Sequence, residues 1–342
     1  MSAYLTDDSG EITAQITRLL CDETTDNAPL ILELIAGGGA NRRLKGYLFG
    51  LTVAHKQAEV QNRAARLLRQ YTSADTFQQA ERLRNAMSYH YNEADYLGKY
   101  KNTEFDLFDF LLAYKMCNWH GLSGNSSRTD RYRLSHETLN LASYPENRLS
   151  EAVATLGFVR HIILPHQKDF DLDDACQHLM CLPLESIYIE NVRLTHFPNR
   201  LFNLPKLKIL SIKRGTSRPR SPLEVRDAEP RGSATLEKFF IDGYALRGTQ
   251  YLGPFPHLKI GSFMRCALDN VQFLQHSLQL EELNLKFNLL TALPAFVGQL
   301  VELRTLELSG NPFEKIELDM RRLNKLEELE LKLKIERTRP LY

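Results

Sequence analysis

The sequence predicts an α+β protein in two parts. Residues 1–157 form an α-helical domain, and residues 158–342 form a solenoid in which one short strand per unit stacks into a parallel, concave sheet. Two observations predict it. Through the first half, apolar residues recur at the three- and four-residue spacing that lines one face of a helix. From Phe158 the spacing shortens to two, inside segments that themselves return every 22 or 23 residues. A unit that cannot bury its own apolar face must stack on its neighbours, and the ends of the stack need covers. The helical domain is expected to cap the front end, near Ile162 and Leu164.

Along the first half, Ser9 is placed to cap a helix striped by Ile12, Ile16, Leu19 and Leu20. Asp26 or Asn27 opens a second, with Ile31, Leu34 and Ile35 on one face and Gly37, Gly38 and Gly39 at its end. Asn41 can cap a third, striped by Leu44, Tyr47, Leu48 and Leu51. A fourth carries Val60, Ala64, Leu67, Leu68 and Tyr71, and a fifth Phe77, Ala80, Leu83 and Met87. Short connectors imply antiparallel neighbours. FDLFDFLLAYKMCNWH, up to His120, reads as an aromatic-rich helix, followed by the loop GLSGNSSRTDRYR and by shorter helical stretches around Leu139 and over Leu149 to Leu156.

In the second half, the clearest unit runs Leu280-x-x-Leu283-x-Leu285-x-x-Asn288-x-Leu290. It restarts 23 residues later at Leu303 and 23 later again at Leu326. Counting back in the same register, earlier starts fall at Leu258, Leu236, Leu207, Leu184 and Val159, which makes seven to eight units. The first unit, 25 residues long, suits an atypical end, and the unit from Leu207, 29 long, carries an insertion near 213–233. Its Arg, Pro, Gly and Ser residues predict a solvated, mobile loop.

This spacing resembles the leucine-rich repeat family. Leu293-Pro294 and Phe197-Pro198 resemble the half-repeat of its intracellular plant and bacterial members, which implies an extended or short-helical convex side. The resemblance also implies an asparagine ladder at the ninth place of each unit. Only Asn288 and Asn311 supply it here, with Val192, Gly215, Tyr244, Cys266 and Lys334 standing in elsewhere. VQNRAARLLRQY in the first half resembles the second helix of a HEAT-type hairpin.

Strand alternation turns the first, fourth and sixth places inward and leaves the places between them on the concave face. Partner-binding candidates there are Tyr188, Glu190, Lys213, Phe240, Asp242, Met264 and Lys286, with Arg265 and Phe287 at the rim and Arg214 at the start of the insertion. Aromatics, Met and Arg are the types enriched at interface anchors. The competing reading is that such side chains pack on their neighbours across the sheet.

Composition limits the function classes. Forty-three basic against 42 acidic residues give no global pull toward nucleic acid or anionic membrane. The start, MSAYLTDDSGEITAQ, lacks a basic patch before an apolar core, and no apolar run reaches membrane length. Five scattered cysteines fit a reducing, cytoplasmic setting. The expected function is therefore a non-enzymatic adaptor that binds a protein partner and takes no cofactor.

The alternatives rest on smaller features. Cys117 with His120 raises a bacterial effector or conflict-system protein with a cysteine-based activity, although neither Cys117 nor Cys21 has the Cys-x-Asp setting of bacterial leucine-rich repeat ubiquitin ligases. The helical domain and the basic insertion raise nucleic-acid binding. Cys176-x-His178-x-x-Cys181 with His166 lacks the second ligand pair of a zinc ribbon. Gly37 to Gly39 before Arg42, Arg43 and Lys45 lacks the ending of a phosphate-binding loop. At the C-terminus, LEELELKLKIERTRPLY is expected to guard the last strand by charge, a second copy docking there being the alternative.

Overall fold

The computed structural model describes residues 8–86, 104–120, 136–214, 222–313 and 320–330. Met87, Arg218, Arg220, Ile316, Lys332, the loop from Gly121 to Arg133 and the charged C-terminus after Glu330 lie outside them. Contacts divide the chain into two units, Met1–Pro145 with Leu149–Val159, and Glu146–Arg148 with Arg160–Tyr342.

The first unit holds six described α-helices: α1 (Asp8–Leu20), α2 (Ala28–Gly38), α3 (Arg42–Ala54), α4 (Ala58–Tyr71), α5 (Ala74–Ala86) and α6 (Leu107–His120). The caps follow the sequence. Asn41 Oδ1 accepts from the Leu44 N–H at 3.0 Å, and Asp26 Oδ1 accepts from the Ala28 N–H at 3.1 Å ahead of α2. Helix α1 starts at Asp8, so Ser9 lies inside it and not at its cap.

Helix α3 is the centre of this unit and is buried along nearly its whole length. Two glycines let α6 approach it. A Cβ on Gly50 would lie 2.6 Å from Ala113 Cβ, and one on Gly46 would lie 2.7 Å from Asp109 Cβ. Around this contact, Phe49 meets Phe105 at 5.0 Å and Phe110 at 5.4 Å between ring centres. Leu139 departs from its helical prediction: it is the buried middle residue of strand β1 (Thr138–Asn140). Three residues can bury one side chain as a strand, while one helical turn would leave its backbone groups unpaired. The segment Glu151–Thr155 is a 3-10 turn.

Two charges are buried on α6. Lys115 Nζ donates to the Thr138 carbonyl at 2.9 Å. Asp109 lies 3.1 Å from Arg43 Nε, yet burial outweighs that guanidinium and pushes its carboxyl up to about 7. The folded chain thus keeps a proton on Asp109 that the unfolded chain releases near its ordinary value of 3.8. Stability is therefore lost as pH rises from the ordinary value through the folded one. Asp109→Asn removes this penalty. Its stabilisation should grow by about 2 kcal/mol between about pH 5 and about pH 8, read from amide exchange in α3 and α6.

The second unit is built on eight parallel strands in the order β2 (His161–Ile163), β3 (Ser186–Glu190), β4 (Ile209–Lys213), β6 (Lys238–Asp242), β8 (Ile260–Met264), β9 (Glu282–Asn284), β10 (Thr305–Glu307) and β11 (Glu328–Glu330). Each strand pairs with the next in register, as in Leu210 with Phe239 and Leu283 with Leu306. The side opposite the sheet is made of α7 (Leu172–Leu179) in the first repeat and of 3-10 turns in later ones. Phenylalanines replace leucines in the middle of the stack. Phe202, Phe239, Phe255, Phe263 and Phe273 form a chain of ring contacts between 5.1 and 6.1 Å, and the Phe263 ring edge takes the space a side chain at Gly261 would fill.

The insertion is more structured than its composition predicts. Strand β5 (Pro222–Glu224) pairs in parallel with β7 (Ala245–Arg247) as a second, two-stranded sheet. Leu223 and Val225 are buried, and Asn199 Nδ2 donates to the carbonyls of Ala228 and Pro230. Two buried side chains and a strand partner override the loop-like composition.

A further regularity lies at the second place of each repeat, where Arg160, Glu185, Lys208, Glu237, Lys259, Glu281, Arg304 and Glu327 alternate in sign. Lys208 meets Glu185 at 2.8 Å, Lys259 meets Glu237 at 3.4 Å, and Arg304 meets Glu327 at 2.8 Å. Exposed pairs add little stability each. Their alternation favours every unit beside its sequence neighbour, because the unit after next carries the same sign.

Candidate partner-binding face

The outward side of the sheet carries three columns of side chains, set by strand register. One runs Ile163, Tyr188, Ser211, Phe240, Ser262, Asn284, Glu307 and Glu330. A second runs Glu190, Lys213, Asp242 and Met264. The third, beginning at His161 and Ser186, includes Ile209, Lys238, Ile260 and Glu282. Strands in a sheet lie about 4.8 Å apart, so Tyr188 and Phe240 flank Ser211 across a span of about 10 Å. Tyr188, Phe240 and Met264 are half-exposed. Ser211, between the two aromatics, is 1% exposed, and its Oγ has no hydrogen-bond partner among the described residues.

Charges on this face are largely mutual. Arg265 holds Asp242 through both Nε, at 2.8 Å, and Nη2. Lys286 bridges Glu307 at 3.1 Å and Glu330 at 2.5 Å. Hydrogen bonding to Glu330 raises the Lys286 pKa, and bonding from Lys286 lowers that of Glu330. Glu190 lies 3.5 Å from His166 Nε2, and the Arg214 guanidinium lies 5.9 Å from the Tyr244 ring centre. Lys213 is exposed.

The rim follows a rule of its own. At the eighth place of five repeats, Asn191, Gly243, Arg265, Phe287 and Gly310 all have φ between 53° and 80°. Glycine takes this left-handed turn freely; Arg265 and Phe287 are strained in it. Phe287 is also 54% exposed, with its ring over Gly310, and Leu289 beside it is 56% exposed.

Immediately after this turn, Asn288 Oδ1 accepts from the N–H groups of Cys266 (2.9 Å) and Leu268 (3.2 Å). Its Nδ2 donates to the Phe263 and Leu285 carbonyls. Asn311 repeats the pattern one unit on, accepting from the Leu290 N–H and donating to the carbonyls of Leu285 and Leu308. The second unit is a leucine-rich repeat solenoid. Where the asparagine is missing, the leucine-rich repeat ladder is patched by other donors. Cys266 Sγ reaches the Ile241 carbonyl at 3.4 Å, and Tyr244 Oη donates to the Val192 carbonyl at 2.5 Å.

No protein-family model matches the sequence, and no curated protein matches it. Among solved structures, the chain is similar to a leucine-rich repeat protein of Leptospira interrogans (18% identity, TM-score 0.42), over 61% of this chain and 57% of that one. The Drosophila Toll–Spätzle complex has a chain that is 14% identical over 60% of this chain and 34% of its own, with TM-score 0.43. The leucine-rich repeat domain of the type III effector XopL is 18% identical over 68% of this chain and 86% of its own, with TM-score 0.37. The chain thus spans less than two thirds of the first two.

All ten candidate residues lie on the outward side of the sheet or at its rim; register sets Tyr188 and Phe240 two strands apart in one column, with Met264 on the strand after Phe240 and two residues along. The sequence reading overlooked the third-place column, with Ile209 and Ile260. The same alternation that exposed the fifth and seventh places could have found it, since these strands begin two residues earlier.

Other candidate centres look different in three dimensions. Cys117 is buried, and burial raises its thiol pKa far above the ordinary range. It shares a small cavity with His55 and Asp26, but His55 Nδ1 accepts from the Gln57 N–H at 3.2 Å and Nε2 donates to Asp26 at 3.0 Å. Both ring nitrogens are therefore engaged, and neither is free to take a thiol proton. His161 Nδ1 lies 2.8 Å from Ser186 Oγ, but that serine is 1% exposed, out of reach of a substrate. Cys176 is buried, with its thiol raised to about 12, while Cys181 is exposed. Among the described residues, no His, Cys, Asp and Glu side chains are grouped to hold a metal ion. Arg43 and Lys45, near the glycine run, engage Asp109 and Glu104. Among the described residues, no helix is long and apolar enough to cross a membrane.

Proposed function

We propose that the chain is a non-enzymatic interaction module. Residues 1–157 are its helical domain, and residues 158–342 bind a protein partner on the concave face in a reducing, cytoplasmic compartment. The observation that carries this reading is the half-exposed pair Tyr188 and Phe240 on either side of Ser211, with the half-exposed Met264 on the strand beside Phe240. Apolar side chains that remain accessible on a sheet face are anchors for a second surface, and the five free cysteines suit a reducing compartment. Replacing all three with alanine should weaken capture of the partner, in affinity purification from the source cell, by at least about a hundredfold. The melting temperature should stay close to that of the unaltered chain. Undiminished capture by the triple variant refutes binding on this face.

A further inference from the structure

The concave face changes character along its length. Strands β2 to β8 present Ile163, Tyr188, Ile209, Phe240, Ile260 and Met264. Strands β9 to β11 present Glu282, Glu307, Glu328 and Glu330, against which Lys286 is the one cation on the outward positions described there. Glu307 and Glu330 share that lysine, and Glu282 and Glu328 enter no ion pair among the described residues. At the other end, the small Ser211 is buried between Tyr188 and Phe240, which leaves the two aromatics as the accessible surface there. Between the two halves stand Arg265 and Phe287, held at positive φ.

We propose that the occupant of this face is a basic polypeptide segment. An apolar side chain of the segment seats between Tyr188 and Phe240. Its lysines or arginines lie over Glu282, Glu307, Glu328 and Glu330. This rests on the concave-face reading above and gives the partner a chemistry. Four carboxylates to one ammonium repel phosphate, which disfavours nucleic acid and anionic lipid on the same surface. The geometry also sets a spacing. From β4 to β9 is three strand intervals and from β4 to β11 is five, about 14 and 24 Å. At about 3.3 Å per extended residue, the basic residues fall about four to seven positions from the apolar anchor.

Panning a random-peptide phage library on the immobilised full-length chain tests this, followed by fluorescence anisotropy with a synthetic copy of the peptide enriched most. The expected peptides carry an aromatic or aliphatic residue with Lys or Arg about four to seven positions away. Their affinity should fall at least about tenfold with Phe240→Ala, and as much with Glu282→Lys/Glu328→Lys. A Lys/Arg→Glu version of the peptide should bind the charge-reversed chain better than the unaltered one. Neutral or acidic peptides that still depend on Phe240 would overturn the basic occupant and leave the concave-face reading standing. Peptides indifferent to both variants would overturn both. Failure to enrich any peptide above a blank support also overturns the proposal.

Discussion

Replacing Asn288 with alanine is expected to destabilise the solenoid by about 3 kcal/mol. Two backbone N–H groups, of Cys266 and Leu268, depend on its Oδ1 inside a turn that water does not enter. Each buried donor left unmade costs about 1–3 kcal/mol, and the two share one acceptor, so their costs do not simply add. Asn311→Ala should cost less, about 2 kcal/mol, because among the described residues only the Leu290 N–H relies on its Oδ1. The ranking, more than either value, is the check, and urea unfolding of the two variants supplies it. Stability in a repeat stack is carried by contacts between neighbouring units, so the loss should also appear as faster amide exchange in β8 and β9. Equal midpoints for the two variants would show that the N–H groups find other acceptors.

These two asparagines were legible in the sequence through the leucine-rich repeat resemblance, which implies an asparagine at the ninth place. What fills the same place elsewhere was not. Tyr244 reaches the Val192 carbonyl through a phenol, and Cys266 uses a thiol, so the ladder continues in donors that no repeat pattern names. The site shows the same division. Alternation located Tyr188, Phe240 and Met264, since it fixes which side of a strand a residue occupies. It did not locate the buried hydroxyl of Ser211: a small polar residue on an outward place reads as solvated unless the sizes of its cross-strand neighbours are weighed. The strained turn at Arg265 and Phe287 left its trace in Gly243 and Gly310, which occupy the same eighth place. In the helical half, Leu139 misled because one apolar residue carries no period, and its burial is decided by tertiary packing.

Changing Gly46 and Gly50 together to alanine is expected to destabilise the helical unit by about 4 kcal/mol, against the direction of helix propensity. Propensity alone favours alanine over glycine by about 1 kcal/mol at each position. Here α3 and α6 approach so closely that a new Cβ at Gly50 would lie 2.6 Å from Ala113 Cβ and 3.0 Å from the Phe110 carbonyl oxygen. At Gly46 it would meet Asp109 Cβ at 2.7 Å and the Phe110 nitrogen at 3.1 Å. Several of these obstacles are backbone atoms, which cannot turn aside as a side-chain end can, so the helices must separate. Separation loosens the Phe49, Phe105 and Phe110 contacts as well, and overpacking of this kind costs about 3 kcal/mol per site. A reciprocal change isolates the cause. Ala113→Gly in the Gly50→Ala background removes the shortest contact and should recover about 1 kcal/mol, although alone it weakens α6. Amide exchange in α3 and α6 reads both effects within this unit. If Ala113→Gly destabilises the Gly50→Ala chain as much as it does the unaltered chain, close helix approach is not what the glycines provide.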